Sequence, residues 1–259
     1  MDLVLNTQKL NMNFGGLAAL AEVDFQAERG AITALIGPNG AGKTTFFNCI
    51  TGIYPPSSGT IVYLPEKERT IVLQKLTPDR VTTLGIARTF QNIRLFNNLT
   101  VLENVLIACH SHMKAGLWGA IFRNKRTLDE EKKMLDFSYE LLVSYGLSHV
   151  VNQIAKTLPY GDQRRLEIVR ALATRPKLLL LDEPAAGLNI TETKVLEDLI
   201  KQIRVQENLS ILLIEHDMSL VMSISDTVFV MEYGKMIAQG KPLEIQKNPQ
   251  VIRAYLGEE

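Results

Sequence analysis

The chain has little cysteine and no long apolar stretch, and each shortage excludes a class of protein. Only Cys49 and Cys109 are present among 259 residues, in unrelated apolar surroundings. We therefore expect neither a disulfide framework nor a zinc cluster, but two small core residues in a reducing cytoplasm. No run approaches the roughly 18 consecutive apolar residues of a membrane span, and the N-terminus lacks the basic and apolar regions of a signal peptide. These shortages predict a soluble, intracellular protein.

An excess of either charge is also missing. The 28 basic and 28 acidic residues give a formal net charge of +0. The chain therefore lacks the general electrostatic footprint of a protein that binds nucleic acid or an anionic bilayer, and we expect no nucleic-acid partner. A hydrophobic fraction of 46% excludes disorder, and the length suffices for one catalytic domain with an insertion large enough to be a subdomain.

The most informative segment is glycine-rich and reads GPNGAGKT over residues 37–44. It follows an apolar run and opens a predicted helix at Lys43, which is the context that a phosphate-binding loop requires. Its glycines let bare backbone N–H groups approach a triphosphate, Lys43 is expected to reach the β and γ phosphates, and Thr44 to bind Mg²⁺. A glycine-rich turn that only caps a helix is the alternative, and strand, loop, lysine and helix together disfavour it. The predicted nucleotide-binding residues here are Gly37, Pro38, Asn39, Gly40, Ala41, Gly42, Lys43, Thr44 and the supporting hydroxyl of Thr45.

An acidic pair follows a second apolar run far downstream. Residues 178–181 are four leucines without alternation, which is typical of a parallel strand that is buried on both faces. Asp182 and Glu183 follow at the carboxyl end, where ligands of open α/β sheets bind. We expect Asp182 to hold Mg²⁺ through water and Glu183 to polarise an attacking water. An isolated acidic pair would more often be a solvated helix cap, but the phosphate loop favours the catalytic interpretation.

The segment LPYGDQRRLEIVRAL, residues 158–172, resembles the signature of ATP-binding-cassette ATPases, usually LSGGQ. In that family the signature closes over a nucleotide held by the opposing subunit, which implies ATP contacts for Tyr160, Gly161 and Asp162. Pro159 replaces a serine that contacts phosphate and Tyr160 replaces a glycine, so we expect the backbone to carry the contact. A flexible Gly161 before an amphipathic helix would leave free N–H groups for an anion. A buried amphipathic helix with a capped start is the alternative.

Other elements of the same family occur in the expected order. Gln91 resembles the glutamine that senses Mg²⁺ and the attacking water, in a loop that faces the membrane subunit. His216 resembles the switch histidine that touches the γ-phosphate. Phe14 resembles the aromatic residue that stacks on adenine, with a core phenylalanine as the alternative. A lone Gln or His at a strand end would more often be a surface residue, and Asn189 stands where the family usually has an aspartate.

Three longer segments narrow the resemblance to one branch of the family. Residues 88–96, 160–167 and 251–257 look like the ATP-binding subunit of branched-chain amino-acid importers. No residue here contacts a cargo, so the cargo follows by analogy alone. The alternatives are an importer for urea or other amides, a cassette ATPase of translation or DNA repair, and a phosphoryl-transfer enzyme with a small-molecule acceptor.

Strand-like runs around the phosphate loop and helical spacing beyond Gln91 predict an α/β core with a mixed sheet, formed by residues 1–91 and 177–259, and a helical subdomain over 92–176. The resemblance implies the same phosphate-loop ATPase fold. It also implies a homo- or heterodimer with another cassette ATPase, two transmembrane permease subunits and, indirectly, a periplasmic or extracellular substrate-binding protein. The chain would then be peripheral, at the cytoplasmic face of the plasma membrane. An apolar stretch at 117–122 is expected to form a packed hairpin, with contact to a membrane subunit or lipid headgroups as the alternative.

Overall fold

The computed structural model describes residues 2–109 and 125–256, so the stretch at 117–122 lies outside the described residues. The chain divides into two compact units. We call Met1–Gln91 with Lys177–Glu259 the core unit, and Asn92–Pro176 the helical unit. Among the described helices, none combines the length and apolar character that a bilayer crossing requires.

The core unit contains two β-sheets. Its strands are β1 Leu3–Phe14, β2 Leu17–Glu28, β3 Ile32–Ile36, β4 Ser58–Glu66, β5 Arg69–Val72, β6 Ile86–Arg88, β7 Leu178–Asp182, β8 Ser210–Ile214, β9 Thr227–Glu232 and β10 Lys235–Gly240. Its helices are α1 Lys43–Ile50, α2 Pro78–Thr83, α6 Ile190–Gln206, α7 Met218–Ile224, α8 Pro242–Gln246 and α9 Pro249–Leu256. The part of the helical unit that the structure describes contains α3 Val101–Cys109, α4 Lys125–Ser144, α5 Tyr160–Leu172 and the short 3₁₀ turns Ser148–Val150 and Ala155–Thr157.

The larger sheet has the order β10-β9-β3-β8-β7-β6. Strands β3, β7 and β8 are buried along their whole length, as the uninterrupted aliphatic runs predict for a covered parallel sheet. All its pairings are parallel except that of β9 with β10. The carboxyl ends of β3, β6, β7 and β8 therefore meet at one edge, where the loops that carry the predicted site residues begin.

The smaller sheet is antiparallel, in the order β2-β1-β4-β5. Helix α1 is anchored by aromatic packing: the Phe46 ring lies 5.1 Å from that of Phe25 on β2, which in turn lies 4.4 Å from Phe229 on β9. All three side chains are buried. The loop that leads into α1 is therefore attached to a helix with little freedom to move.

The helical unit is held together by polar contacts as well as apolar ones. Arg164 and Glu167, one turn apart on α5, form an ion pair of 2.8 Å with both side chains 1% exposed. The other oxygen of Glu167 accepts the backbone N–H of Arg94 at 3.2 Å. An isolated antiparallel β-bridge pairs Thr100, just before α3, with Ile154, which follows α4.

Candidate nucleotide site

The phosphate loop joins β3 to α1 within the core unit. Helix α1 begins at Lys43 behind Gly42, whose φ of 106° lies in the left-handed region. No described side chain caps this helix start, and its first turn contains no acidic residue. The first N–H groups of α1 are thus available to an anion, and the helix dipole favours one there.

Two glycines are required by their neighbours as well as by their dihedral angles. A Cβ on Gly37 would overlap the carbonyl oxygen of Met231 on β9, and one on Gly42 would lie 2.6 Å from the carbonyl oxygen of Ala19 on β2. The turn between β9 and β10 also binds the loop, because the Gly234 N–H donates to the Ala41 carbonyl at 2.8 Å. The loop is thus held in shape by both sheets.

Lys43 is held inside the loop that precedes it. Its Nζ donates to the carbonyl oxygens of Gly37 at 2.7 Å and Pro38 at 2.9 Å, and the residue is 6% exposed. Burial lowers the pKa of Lys43, while the carboxylates of Glu183 and Asp182 oppose that shift. A buried ammonium group beside bare backbone amides is suited to bind phosphate oxygens.

A cavity of about 610 Å³ opens over the loop, a size typical of small-molecule sites. Its described lining consists of Phe14, Leu17, Ala18, Ala19, Asn39, Gly40, Ala41, Gly42, Lys43, Thr44, Thr45, Gln91, Glu183, His216, Tyr233 and Gly234. The structure therefore brings most of the predicted loop residues together with the three predicted catalytic residues.

Glu183 is the centre of a hydrogen-bonded triad. Its Oε2 accepts from Gln91 Nε2 at 2.7 Å, and its Oε1 lies 2.7 Å from His216 Nε2. Because an ionised carboxylate only accepts, this geometry implies that Nε2 of His216 carries the proton. Glu183 adopts a left-handed φ of 48°, and its N–H donates to the Ile214 carbonyl at 2.8 Å. A left-handed backbone conformation costs a non-glycine residue about 1–3 kcal/mol, and residues in this conformation are concentrated at functional sites.

Asp182, the predicted Mg²⁺ ligand, does not line the cavity among the described residues. Its Oδ2 lies 2.6 Å from Arg88 Nη2, with the two side chains only 4% and 6% exposed. Arg88 also donates to Asn48 on α1 at 2.7 Å. The role of Asp182 as a metal ligand stays a prediction, and Arg88 is a site residue that sequence reasoning missed. The available signal was a charged residue at the end of the short apolar strand β6.

The residues present fit a nucleoside triphosphate with Mg²⁺. The uncapped start of α1 and the buried ammonium of Lys43 suit phosphate groups. Within residues 2–109 and 125–256, no group of three or more His, Cys, Asp or Glu residues could hold a metal by itself. Mg²⁺ in nucleotide sites takes most of its ligands from phosphate and water, so a site with few protein ligands is suited to it, and Thr44, Gln91 and Asp182 stay its predicted protein ligands.

Phe14 lies at the surface and lines the cavity. It is 43% exposed, and its ring meets the edge of Tyr54 at 5.3 Å. The alternative of a core phenylalanine is therefore wrong, whereas stacking on adenine stays a prediction. Tyr233, in the turn between β9 and β10, lines the same cavity and is 85% exposed. Tyr233 is a lining residue that the sequence analysis did not identify.

The signature segment differs from its prediction at one point. Helix α5 begins at Tyr160, directly after Pro159, so Gly161 is part of the first turn and does not precede the helix. The helix therefore starts two residues earlier than expected, with Pro159, whose ring fixes its φ at −53°, as the residue before its first turn. Tyr160 is 42% exposed, and Asp162 lies 3.6 Å from Arg165. Contacts of this segment with nucleotide stay a prediction.

These features define a phosphate-loop ATPase, and known families match it. A family described as "ABC transporter" matches residues 20–186, more than half of the chain. A second, described as "Branched-chain amino acid ATP-binding cassette transporter", matches residues 235–259. The chain belongs to the ABC transporter family of ATP-binding proteins, which confirms the predicted family and its ATPase class.

Several named proteins are similar along nearly the whole chain. The high-affinity branched-chain amino acid transport ATP-binding protein LivG of Salmonella typhimurium is 48% identical, covering 98% of each chain. BraF of Pseudomonas aeruginosa, described in the same words, is 45% identical with the same coverage. A probable LivG of Archaeoglobus fulgidus is 36% identical over 98% of this chain and 95% of its own.

Solved structures confirm the predicted fold class. The ADP conformation of MJ1267, an ATP-binding cassette of an ABC transporter, superposes with a TM-score of 0.85 at 29% identity, covering 100% of both chains. A nucleotide-free ATP-binding cassette from an ABC transporter gives 0.84 at 30% identity, covering 99% of this chain and 100% of the other.

Proposed function

We propose that the chain is the ATP-hydrolysing subunit of an importer for the branched-chain amino acids Leu, Ile and Val. The observation that carries this proposal is a sequence identity of 45–48%, over 98% of the chain, to proteins named for that transport. The matching segment at residues 235–259 supports the same branch of the family. The clustering of Gln91, Glu183 and His216 over the phosphate loop supports hydrolysis of the bound nucleotide.

The phosphate loop binds and neutralises the triphosphate. The N–H groups at the start of α1 and the ammonium of Lys43 surround the phosphate oxygens, and Thr45 supports them. When bound, Mg²⁺ would supply a Lewis acid beside the phosphates, with Thr44, Gln91 and Asp182 as its protein ligands. Phe14 stacks on adenine at the apolar part of the cavity.

Glu183 orients and polarises the attacking water, while His216 contacts the γ-phosphate. Both carboxylate oxygens of Glu183 already accept hydrogen bonds, from Gln91 and His216. Each of these oxygens has a second lone pair that can accept a hydrogen bond from the attacking water, so the triad can hold Glu183 in place while it orients that water. The protein contributes mainly positioning and electrostatic stabilisation, because phosphoryl transfer to water needs no covalent bond between the protein and the phosphate.

The working assembly consists of this chain, a second cassette ATPase that is either identical or a paralogue, and two transmembrane permeases. The partner's signature segment covers the nucleotide bound to this chain, and a periplasmic or extracellular binding protein delivers the amino acid. The chain is then peripheral, on the cytoplasmic face of the membrane. The neutral net charge agrees with recognition by local surfaces and not by a charged lipid or nucleic acid.

Transport by the complete assembly tests this function. The chain is reconstituted with its permeases and binding protein in lipid vesicles, and uptake of radiolabelled leucine is compared with that of urea. We expect leucine uptake that depends on ATP and is absent with Lys43→Ala, because that variant loses the phosphate-binding ammonium. Uptake of urea without leucine would favour the amide importer. If the assembly with Lys43→Ala took up leucine at the wild-type rate, the assignment of residues 37–44 as the phosphate-binding loop would be contradicted.

A further inference from the structure

Glu215 is a buried carboxylate between the two loops that carry the catalytic side chains. It follows β8, directly precedes His216, and is 3% exposed. Its Oε1 accepts the Ala185 N–H at 2.7 Å. Its Oε2 accepts the N–H groups of His216 at 2.8 Å and Asp217 at 3.2 Å. One carboxylate thus bridges the loop after β7 to the loop after β8.

The bridged loops are those whose side chains meet in the cavity. Glu183 and His216 approach to 2.7 Å, and the N–H of Glu183 donates to the Ile214 carbonyl at 2.8 Å. Glu215 supplies a further link, between Ala185 on one side and His216 on the other. Glu183 has an unfavourable left-handed backbone, which persists only where its surroundings fix it.

The partners of Glu215 suit an ionised carboxylate. All three are N–H donors, so a charged group with two accepting oxygens satisfies them together. Burial raises the pKa of Glu215, and these three N–H groups oppose the rise. A glutamine in the same place would accept on one side only, since its NH₂ group would face N–H donors on the other.

We propose that Glu215 is a positioning residue for ATP hydrolysis: it holds the loop of Glu183 and the loop of His216 at the separation that lets the two side chains meet. The inference rests on the proposed function, because it concerns the hydrolytic step. Glu215 does not line the described cavity, so it acts through its neighbours and not on the nucleotide.

Steady-state hydrolysis by the full chain separates positioning from mere stability. Glu215→Gln is expected to lower kcat about tenfold to hundredfold, as for a small misplacement of catalytic groups, with the KM for ATP changed less than about twofold. Glu215→Ala, which removes both sides of the bridge, is expected to lower kcat further. Asp226→Asn is a control for the loss of a carboxylate that accepts a backbone N–H, that of Ile32 at 2.8 Å. Asp226 is half-exposed, also pairs with Arg204 at 3.1 Å, and lies outside the described cavity lining, so its replacement should leave kcat unchanged.

Amide exchange provides a readout that does not depend on activity. We expect the amide protons of Ala185 and His216 to exchange with deuterium at least about tenfold faster in Glu215→Gln, since each loses a buried acceptor in part of the molecules. The positioning role would be overturned if Glu215→Gln left kcat unchanged. It would also be overturned if the amide protons of Ala185 and His216 both exchanged at the wild-type rate. Absence of hydrolysis by the wild-type chain in its assembly would instead overturn the proposed function.

Discussion

Within residues 2–109 and 125–256, a buried ion pair of arginine with a carboxylate is found in each unit, and the two pairs are built differently. In the core unit, Arg88 and Asp182 are 94 positions apart in sequence and join β6 to β7. In the helical unit, Arg164 and Glu167 lie within one turn of α5. A pair across strands fixes the edge of a sheet, whereas a pair within one helix fixes only that helix and its neighbours.

The two carboxylates are also used differently. Glu167 is engaged at both oxygens, by Arg164 and by the N–H of Arg94. Asp182 is engaged by Arg88 at one oxygen and directly precedes Glu183 in the sequence. The comparison teaches that burial and pairing alone do not identify a functional charge. What favours the predicted role of Asp182 as a Mg²⁺ ligand is the place of this residue at the carboxyl end of β7, where ligands of open α/β sheets bind.

The largest effect is expected from Arg88→Met. It leaves the carboxylate of Asp182 buried without its cation, which should lower the free energy of unfolding by about 3–5 kcal/mol. It should also lower the hydrolysis rate of the folded fraction, because Arg88 connects Asp182 to Asn48 on α1. Urea unfolding and steady-state kinetics measure the two effects. If Arg88→Met lowers the free energy of unfolding by less than about 1 kcal/mol, the carboxylate of Asp182 is solvated and does not need Arg88. That result would contradict the difference between the two ion pairs.

A smaller net effect is expected when both members of the helical pair are replaced. Arg164→Met alone should cost about 3–5 kcal/mol. Arg164→Met with Glu167→Leu should recover part of that loss, because neither charge of the pair is left buried, and the remaining loss of about 1–3 kcal/mol reflects the Arg94 N–H that no longer has its acceptor. Urea unfolding of both single variants and the double variant measures the coupling. ATP affinity should stay unchanged, since the phosphate loop belongs to the other unit. A double variant as unstable as Arg164→Met would contradict a purely structural pair.

The smallest effect is expected at the start of α5. Asp162 places a negative charge in the first turn, where a phosphate group is proposed to approach. Asp162→Asn should therefore strengthen ATP-dependent dimerisation by about twofold to fivefold, the range of one charge at a helix end. Sedimentation at low and high salt measures this, with Asp198→Asn on the exposed surface of α6 as control. Weaker dimerisation would mean that the carboxylate itself makes a favourable contact.

The parts of the site that lie in contiguous segments could be predicted from the sequence. The loop at 37–44 and the acidic end of β7 each carry their chemistry in adjacent residues, so spacing and hydrophobic pattern suffice. The parts that depend on distant partners could not. Arg88 meets Asn48 and Asp182, which are 40 and 94 positions away, and Glu215 meets Ala185 only through the register of β7 and β8.

The fold was predictable in its class but less so in the antiparallel sheet. Strands β1 and β2 each extend over 12 residues, and their alternation is broken by register shifts. Lys9 and Glu22 have left-handed φ values of 45° and 51° in these strands. Such irregularities move the following side chains to the other face, so a period of two residues cannot be followed through them.

The central claim is that Glu183 performs hydrolysis at a nucleotide bound by the phosphate loop of the same chain. The most direct measurement compares ATP binding and ATP turnover in Glu183→Gln, with Asp226→Asn as a control outside the cavity. We expect Glu183→Gln to bind ATP with a dissociation constant within about threefold of wild type, while kcat falls at least about a hundredfold, because the water loses its polarising carboxylate. Wild-type turnover in Glu183→Gln would contradict the account.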